Sequence, residues 1–316
     1  MLPLSLLFWL LSALRRQAFR LGLKTQQRLR VPVVVVGNIS VGGTGKTPVT
    51  LRLCELLQAH GWRPGIISRG YGVRLKTPRL VQPHDSAAEC GDEPVLLAQR
   101  SGCPVVIFPD RVKGGEFLLA NAACDIIICD DGLQHYALER DLEIVLIDAS
   151  RGLGNGFLLP AGPLREGRWR LQQTDVVLWN GEQPLPVPVT PGRQPADPCY
   201  GHFYLQPGAP QPLQSTDTAL DSNAALQLVS GIGNPERFAA TVQRSGFKLA
   251  GQHWFADHHP FTAADLVSIP TPLLMTEKDA VKCRAFARPG WFYLPVQAVL
   301  PPEVETYILE RLRKTH

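Results

Sequence analysis

The sequence is poor in charged residues and lacks a long apolar run. Charged residues make up 19% of the 316 positions and apolar residues 45%, which excludes a largely disordered chain. No apolar run reaches the ~20 residues of a spanning helix, which excludes a multi-span membrane protein. The seven cysteines form no C-x-x-C pair. Neither a zinc site nor a disulfide framework is therefore expected, and the reducing cytosol is the default compartment.

Acidic residues are missing before Glu55, whereas basic residues are frequent there. The basic residues that precede Glu55 are Arg15, Arg16, Arg20, Lys24, Arg28, Arg30, Lys46 and Arg52. The whole chain has a net charge of +4, with 24 arginines and 8 lysines. Because guanidinium groups bind phosphate in a bidentate manner, we expect a phosphate-bearing or anionic-surface partner and no nucleic acid.

The amino-terminal segment, residues 1–30, joins an apolar run to a basic one. Residues 2–14 read LPLSLLFWLLSAL, and RRQAFRLGLKTQQRLR follows. Thirteen helical residues span about 20 Å, short of the ~30 Å hydrocarbon core. A signal peptide has its basic residues before the apolar run, not after it. The pattern predicts a segment that lies on a membrane surface, and the alternative is a helix packed in the core.

Short apolar runs alternate with helical patterns from residue 31 onward. Continuous β-branched runs such as Val31–Val36 are typical of buried parallel strands. Further strands are predicted at Gly65–Ser68, Val105–Phe108, Asp125–Cys129, Glu143–Ile147 and Asp175–Leu178, and helices at Thr47–Ala59, Glu93–Arg100 and Lys113–Ala122. This alternation predicts an α/β fold with a doubly wound, mostly parallel sheet over residues 31–183.

Nine prolines lie between positions 184 and 212. Their density predicts a linker or extended hairpin over 184–222, outside the interior of a sheet. The alternation then resumes, which predicts a smaller α/β lobe over 223–316. Its expected elements are strands at Leu226–Ser230, Leu273–Met275 and Phe292–Pro295 and helices at Pro235–Ser245 and Pro302–Leu312.

A glycine-rich loop, GNISVGGTGKTP at 37–48, separates the first strand from the first helix of the larger lobe. Its backbone N–H groups and the helix N-terminus would bind phosphate, Lys46 would reach the β and γ phosphates, and Thr47 would bind Mg²⁺. The nucleotide-binding residues predicted here are Gly42, Gly43, Thr44, Gly45, Lys46 and Thr47. The strict P-loop pattern has glycine where this chain has Ser40, so the match is incomplete.

A second metal-binding element is predicted at Asp130 and Asp131. These residues end the apolar run Ile126–Cys129, and open α/β sheets bind ligands at the carboxyl ends of their strands. Either carboxylate, directly or through water, would hold Mg²⁺. For the other one, formation of the turn before Gly132 is the alternative.

Six motifs together resemble the tetraacyldisaccharide 4′-kinase family over nearly the whole chain. They are GNISVGGTGKTP (37–48), ISRGYG (67–72), GDEP (91–94), DDGLQH (130–135), LLPAGPLRE (158–166) and TEKDAVK (276–282). The resemblance implies a P-loop kinase that uses ATP and Mg²⁺ at the cytoplasmic face of the inner membrane. Its implied acceptor is the 4′-hydroxyl of tetraacyldisaccharide 1-phosphate, a glycolipid of lipid A biosynthesis, and its product lipid IVA.

A proton acceptor for the attacking hydroxyl is predicted at Asp92 and His258, since a carboxylate and an imidazole orient each other. The resemblance implies the same pair, with His259 as the competing histidine. Alternatively, Asp92 serves as a helix N-cap and His258 as a hydrogen-bonded structural histidine. Glu166 resembles a family acid near the metal or the substrate head group, and a solvated loop glutamate is its alternative.

Other residues of these motifs have less defined roles. Gln134 and His135 are candidates for contact with the acceptor or the phosphates, and capping or core roles are their alternatives. The arginines Arg69, Arg111 and Arg165 are candidates for binding the acceptor's 1-phosphate or the transferring phosphoryl, or else are surface charges. Lys278 has no derived role beyond a salt bridge within the smaller lobe.

Two other classes of protein remain open at this point. The first is a membrane-docked P-loop ATPase switch, but such proteins carry a lysine where this chain has Val41. The second is a metal-dependent phosphoesterase built on Asp257, His258 and His259 together with the acidic pair, which would leave the glycine-rich loop without a purpose.

Overall fold

Fourteen strands form two sheets within residues 1–181, 198–214, 219–221 and 223–314, the part of the chain that a computed structural model describes. The strands are β1 (Val33–Gly37), β2 (Pro64–Ser68), β3 (Arg79–Val81), β4 (Val105–Ile107), β5 (Ile126–Asp130), β6 (Leu142–Asp148), β7 (Val176–Asn180), β8 (Cys199–Pro207), β9 (Gln211–Pro212), β10 (Ala225–Ser230), β11 (Lys248–Trp254), β12 (Leu273–Thr276), β13 (Trp291–Leu294) and β14 (Val296–Val299).

Helices connect most of these strands. They are α1 (Leu2–Arg20), α2 (Lys46–Ala59), α3 (Ala87–Cys90), α4 (Asp92–Ser101), α5 (Arg111–Asn121), α6 (Pro235–Arg244), α7 (Ala263–Leu266), α8 (Glu277–Cys283) and α9 (Pro302–Arg313), with 3₁₀ turns at Arg168–Gln173 and Arg284–Phe286. The helices and strands predicted from the sequence are present, with small differences at their ends. The elements not foreseen include β8, β11, β14 and α8.

The larger sheet is doubly wound, which confirms the predicted α/β class. Its strand order is β14-β8-β7-β6-β1-β5-β2-β4-β3, and the edge strands β14 and β3 run antiparallel to their neighbours. Side chains of α2, α4 and α9 share one core cluster with the sheet, and those of α5 another. Both faces are therefore covered, as the continuous apolar strands require. Val36 pairs with Asp130, so the glycine-rich loop and the acidic pair begin at the same edge.

The smaller sheet has the order β11-β10-β12-β13-β9. Four of its strands are parallel, and β9 runs antiparallel to β13. Phe238 of α6 packs against Leu228 on one face, and Cys283 of α8 packs with Met275 on the other. This sheet therefore has its own core, covered by a helix on each face.

The end of the chain lies in the larger sheet, although the sequence pattern places 223–316 in the smaller lobe. Strand β14 pairs with β8, and Ile308 and Leu312 of α9 lie in the core of the larger sheet. The smaller sheet is thus built from a stretch of chain inserted between β8 and β14. Sequence periodicity identified α9 as a helix but carried no information on which sheet it covers.

The proline-rich stretch 184–222 contains a strand of the larger sheet. Strand β8 lies between β7 and β14, so the expectation that this stretch avoids the sheet interior is wrong for residues 199–207. Pro198 precedes this strand and Pro207 is its last residue, and proline is tolerated at strand ends. Residues 184–197, 215–218 and 222 of this prediction lie outside the described residues.

Helix α1 presents an apolar surface to solvent. Its leucines with at least half of their surface exposed are Leu2, Leu4, Leu6, Leu7, Leu11 and Leu14. The hydroxyl of Ser5 donates to the carbonyl of Leu158 at 2.8 Å, and the guanidinium of Arg16 lies 4.5 Å from the ring centre of Trp169. Among the described residues, no helix has both the length and the apolar character required to cross a membrane.

Candidate active site

The glycine-rich loop runs from β1 to α2 at the carboxyl edge of the larger sheet. Gly42 and Gly45 adopt left-handed conformations, with φ of 98° and 92°. Gly45 directly precedes α2, so the unpaired N–H groups of the first helical turn are available to an anion. A Cβ atom at Gly45 would lie 2.7 Å from Nδ2 of Asn180, so both conformation and space favour glycine there.

Side chains from outside the loop hold its backbone in place. Asn180 donates to the carbonyl of Thr44 at 3.0 Å, and Arg151 donates to the carbonyl of Gly43 at 2.6 Å. These contacts use carbonyl oxygens and leave the N–H groups free for a ligand. The hydroxyl of Thr44 is buried without a hydrogen-bond partner among the described residues. A buried unpaired hydroxyl in such a loop fits a site that binds phosphate oxygens.

Lys46 and Asp131 face each other beside the loop. Nζ of Lys46 lies 3.6 Å from Oδ1 of Asp131 and 3.4 Å from Oδ1 of Asn38. Arg165 Nη1 lies 3.3 Å from each carboxylate oxygen of Asp131. Burial raises the pKa of Asp131, but the charges of Lys46 and Arg165 outweigh burial and lower it below its usual value. Asp131 is therefore an ionised carboxylate next to two cations.

Asp130 is the buried member of the acidic pair. It is 1% exposed, and its carboxylate lies 3.4 Å from each of the hydroxyls of Thr50 and Ser68. Burial, together with the carboxylates of Glu93 and Asp131, raises the pKa of Asp130 to about 7. The two neighbouring carboxylates thus have different environments, one partly open and one enclosed.

Asp92 and His258 come from different lobes and lie in contact. Asp92 is the first residue of α4, and its Oδ2 lies 3.3 Å from Nδ1 of His258. Burial raises the pKa of Asp92, but the hydrogen bond to His258 and the charge of Lys278 bring it down to about 2. His259 instead lies 3.3 Å from Asp265. Of the two candidate histidines, His258 is therefore the one beside Asp92.

Ion pairs cross between the lobes around this pair. Nζ of Lys278 lies 3.0 Å from Oε1 of Glu93, and Arg100 lies 2.6 Å from Glu277. The expected salt bridge of Lys278 within the smaller lobe is thus replaced by one to the larger lobe. Because α8 carries both Glu277 and Lys278, this short helix is a main contact between the two lobes.

A cavity of about 750 Å³ brings these elements together. The larger lobe contributes the loop residues 41–47 together with Asp131 and Arg165, and the smaller lobe contributes Asp257, His258 and Lys278. Asp92 is 8% exposed and lies behind His258. A triphosphate on the loop would therefore have His258 and Lys278 opposite its outer end.

Glu166 lies apart from this cavity. It is 2% exposed, which excludes the solvated loop glutamate considered above. Gln134 donates to its Oε2 at 3.0 Å, Tyr136 donates to its Oε1, and Nε of Arg170 lies 3.7 Å from Oε2. Its carboxylate oxygens are thus already engaged by protein groups, and its role as a metal ligand stays a prediction.

The remaining predicted residues occupy different environments. Arg111 is buried and donates to the carbonyl of Asp131 at 3.3 Å, whereas Arg69 is exposed. His135 lies 3.9 Å from Asp110. Burial and the charge of Arg111 lower the pKa of His135 to about 4, so it is neutral at pH 7. Of the three predicted arginines, Arg165 lines the cavity.

Sequence reasoning missed a contact between the smaller lobe and the loop. Arg237 of α6 lies 3.1 Å from Asp148 and donates to the carbonyl of Asn180 at 2.9 Å. Asn180 in turn holds the carbonyl of Thr44. Asp148 is the last residue of β6 and Asn180 the last residue of β7. Their position could have identified them, because polar residues at the carboxyl ends of parallel strands lie at the ligand-binding edge of a sheet.

The glycine-rich loop joins the central strand β1 to helix α2, and the acidic pair ends the neighbouring strand β5. This arrangement defines a P-loop nucleotide-binding protein. The family model for tetraacyldisaccharide-1-P 4′-kinase matches residues 1–313. The chain belongs to this family.

Individual relatives cover nearly the whole chain. The tetraacyldisaccharide 4′-kinases of Shewanella sp. (strain MR-4) and Shewanella amazonensis are each 49% identical to it, over 99% of this chain and 91% of their own length. A crystal structure described as the apo form of LpxK from Aquifex aeolicus in complex with ATP matches with a TM-score of 0.79 and 28% identity, covering 98% of both chains. This chain and the Aquifex relative thus share one fold over nearly their whole length.

Proposed function

We propose that this protein transfers the γ-phosphate of ATP to the 4′-hydroxyl of tetraacyldisaccharide 1-phosphate, which forms lipid IVA in lipid A biosynthesis. Family membership supports the reaction, and the ATP complex of the Aquifex relative supports the nucleotide. The observation that carries the proposal is the shared cavity, in which the phosphate loop and His258, the partner of Asp92, face each other.

The loop would hold the phosphates of ATP through its backbone and one lysine. The N–H groups at Gly42, Gly43, Thr44 and Gly45 and the first turn of α2 would bind phosphate oxygens, and Lys46 would contact the β and γ phosphates. Lys46 is now paired with Asp131 at 3.6 Å. A bound triphosphate would offer it a stronger anionic partner.

We propose Mg²⁺ as the metal, bound by Thr47 and Asp131. Both line the cavity, and their oxygens are the ligand type that Mg²⁺ prefers. Asp130 lies directly behind and would bind through water. Glu166, the fourth predicted ligand, is held by protein partners and fits this set least well. When bound, the ion would neutralise charge that develops on the transferring phosphoryl group.

The pair of Asp92 and His258 would receive the proton of the attacking hydroxyl. A positioned base of this type accelerates a reaction by about 10²–10⁴-fold. The low pKa of Asp92 keeps its carboxylate ionised at pH 7. An ionised Asp92 would also stabilise positive charge on His258 when the imidazole takes up a proton.

We further propose that α1 docks on the cytoplasmic face of the inner membrane. An acceptor with four acyl chains stays in a bilayer, so the enzyme must reach it there. The exposed leucines of α1 would enter the acyl boundary, and Arg15 and Arg16 would contact lipid phosphates. A variant with Leu11→Gln should bind anionic phospholipid vesicles more weakly than Val267→Gln, a matched change at an exposed position of the smaller lobe. Equal vesicle binding by the two variants would exclude this role of α1.

ATP labelled in its γ-phosphate tests the reaction. Label appearing on the 4′-position of the glycolipid supports the kinase. Label released as free phosphate without an acceptor would support the ATPase switch instead, and loss of phosphate from the acceptor without ATP would support a phosphoesterase. Either of the latter results, without transfer to the glycolipid, would refute the proposal.

A further inference from the structure

Lys278 occupies the centre of the cluster around Asp92 and His258. Its Nζ atom lies 3.0 Å from Oε1 of Glu93 and 3.3 Å from Nε2 of His258. Its side chain is 18% exposed. Nζ also lies 3.9 Å from Oδ2 of Asp92, so the lysine contacts both Nε2 of the imidazole and the carboxylate that contacts Nδ1.

The chemistry of the ammonium group determines what Nε2 does in this contact. A lysine ammonium has three donors and no acceptor. Nε2 must therefore accept, which requires that it carry no proton. A neutral imidazole then has its proton on Nδ1, because the partner of one ring nitrogen determines the tautomer at the other. That proton points at Oδ2 of Asp92, 3.3 Å away.

We propose that Lys278 is a positioning residue that fixes His258 in the neutral tautomer protonated on Nδ1. In this tautomer His258 donates to the ionised Asp92, and the lysine contacts both residues of the pair. The contribution of Lys278 to turnover rests on the proposed kinase reaction. The tautomer itself is a property of the free protein and is measured without any substrate.

Other groups around the ring have weaker or different effects. Asp257 lies 4.0 Å from Nε2, beyond hydrogen-bond distance, and is 45% exposed. Lys282 lies 3.7 Å from Asp92 and Glu93 is paired with Lys278, whereas Tyr71 stacks on His258 with ring centres 4.9 Å apart. The hydrogen bond to Asp92 raises the pKa of His258 above its usual value, and the charge of Lys278 opposes this rise without cancelling it. Loss of Lys278 should therefore favour the imidazolium.

Nitrogen NMR of the full-length protein, labelled with ¹⁵N histidine, tests the tautomer directly in a titration from pH 6 to pH 9, because the pKa of His258 is raised. The His258 signals are assigned by their loss in His258→Gln. In the unsubstituted protein we expect the neutral imidazole, which forms as the pH rises, to have a protonated Nδ1 and an unprotonated Nε2. In Lys278→Met, Nε2 should stay protonated to a higher pH, whereas Lys278→Arg, which keeps a donor-only cation, should retain the original pattern. Lys248→Met removes an exposed charge from the same lobe and should leave the His258 signals unchanged.

Kinetics of the same variants test the consequence for turnover. We expect Lys278→Met to lower kcat by roughly tenfold to a hundredfold, part of the effect of a positioned acid–base group. KM for ATP should change much less than kcat, because no described contact joins Lys278 to the phosphate loop. Lys278→Arg should recover most of kcat. A purely structural defect would instead reduce the fraction of folded protein in both variants.

Several results would overturn the inference. A protonated Nε2 in the neutral imidazole of the unsubstituted protein would do so even if Lys278→Met fails to fold. Identical His258 signals in the unsubstituted protein and Lys278→Met would also do so. A changed tautomer with unchanged kcat would overturn the contribution to turnover. Failure of the unsubstituted protein to phosphorylate the glycolipid would refute the proposed function and leave the tautomer measurement standing.

Discussion

Replacing Asp92 with asparagine preserves the size of the side chain and removes its charge. The pKa of Asp92 falls from 3.8 to about 2 in the folded protein. Because one pKa unit corresponds to about 1.4 kcal/mol, this lowering stabilises the folded protein by about 2 kcal/mol at pH 7. We expect Asp92→Asn to lose this amount of the free energy of unfolding, since Lys278 and Lys282 would then face a neutral amide.

The pH dependence of this loss follows from the direction of the pKa change. A carboxyl group whose pKa is depressed on folding stabilises the protein above its unfolded pKa and loses this effect as the pH falls through its folded pKa. The difference in unfolding free energy between the two proteins should therefore be full at pH 7 and smaller at pH 3. Urea denaturation at both values measures it, with Glu116→Gln on the exposed face of α5 as the matched control. An equal difference at the two pH values would refute the reasoning.

Turnover of Asp92→Asn separates a role as base from a role at the start of α4. If the carboxylate takes part in proton transfer, kcat should fall by about 10²–10⁴-fold. Binding of a non-hydrolysable ATP analogue, measured by calorimetry, should stay unchanged, because Asp92 makes no described contact with the phosphate loop. Near-normal turnover would show that Asp92 serves only the beginning of the helix.

Three further substitutions test the loop and its supports. Lys46→Ala should weaken ATP-analogue binding and lower kcat, each by tenfold or more, because loss of one charge-stabilising group lowers a rate by about 10²-fold. Unchanged analogue binding would exclude contact between Lys46 and the phosphates. Gly45→Ala should abolish analogue binding. Gly61 is also left-handed, with φ of 84°, but has open space around it, so Gly61→Ala should bind the analogue normally. Similar binding by the two variants would contradict the close approach of Asn180 to Gly45. Arg237→Met removes one partner from Asp148 and from Asn180, at a cost of about 1–3 kcal/mol. Because Asn180 holds the phosphate loop, KM for ATP should rise. An unchanged KM would show that the loop keeps its shape without the contact from α6.

Features encoded in a short run of residues were predictable from the sequence. The loop at 37–48 combines a β-branched strand, glycines with left-handed φ and a following helix, all within about a dozen positions. The acidic pair follows from the same logic, since an apolar strand that ends in Asp130 places it at the ligand-binding edge. The contact of Asp92 with His258 was reached through motifs that resemble a known family.

Features that depend on distant pairing were not predictable in the same way. Lys278 and Glu93 are separated by 185 positions, and neither local pattern indicates the other. The burial of Glu166 involves Tyr136, which lies 30 positions away, so its motif alone left the solvated loop open as an alternative. Strand β8 was hidden because prolines on both sides of it dominate the local composition.

The placement of β14 and α9 has a consequence for how the protein is made. A ribosome must finish translating the inserted lobe before these last elements emerge, and β8 has no edge partner until then. During most of synthesis the larger sheet of a nascent chain would thus lack its last strand, and β8 would be an edge strand with unpaired backbone groups. Such edges promote misassembly. Premature stop codons near the carboxyl terminus should therefore damage the first-made half of the molecule as well as the last.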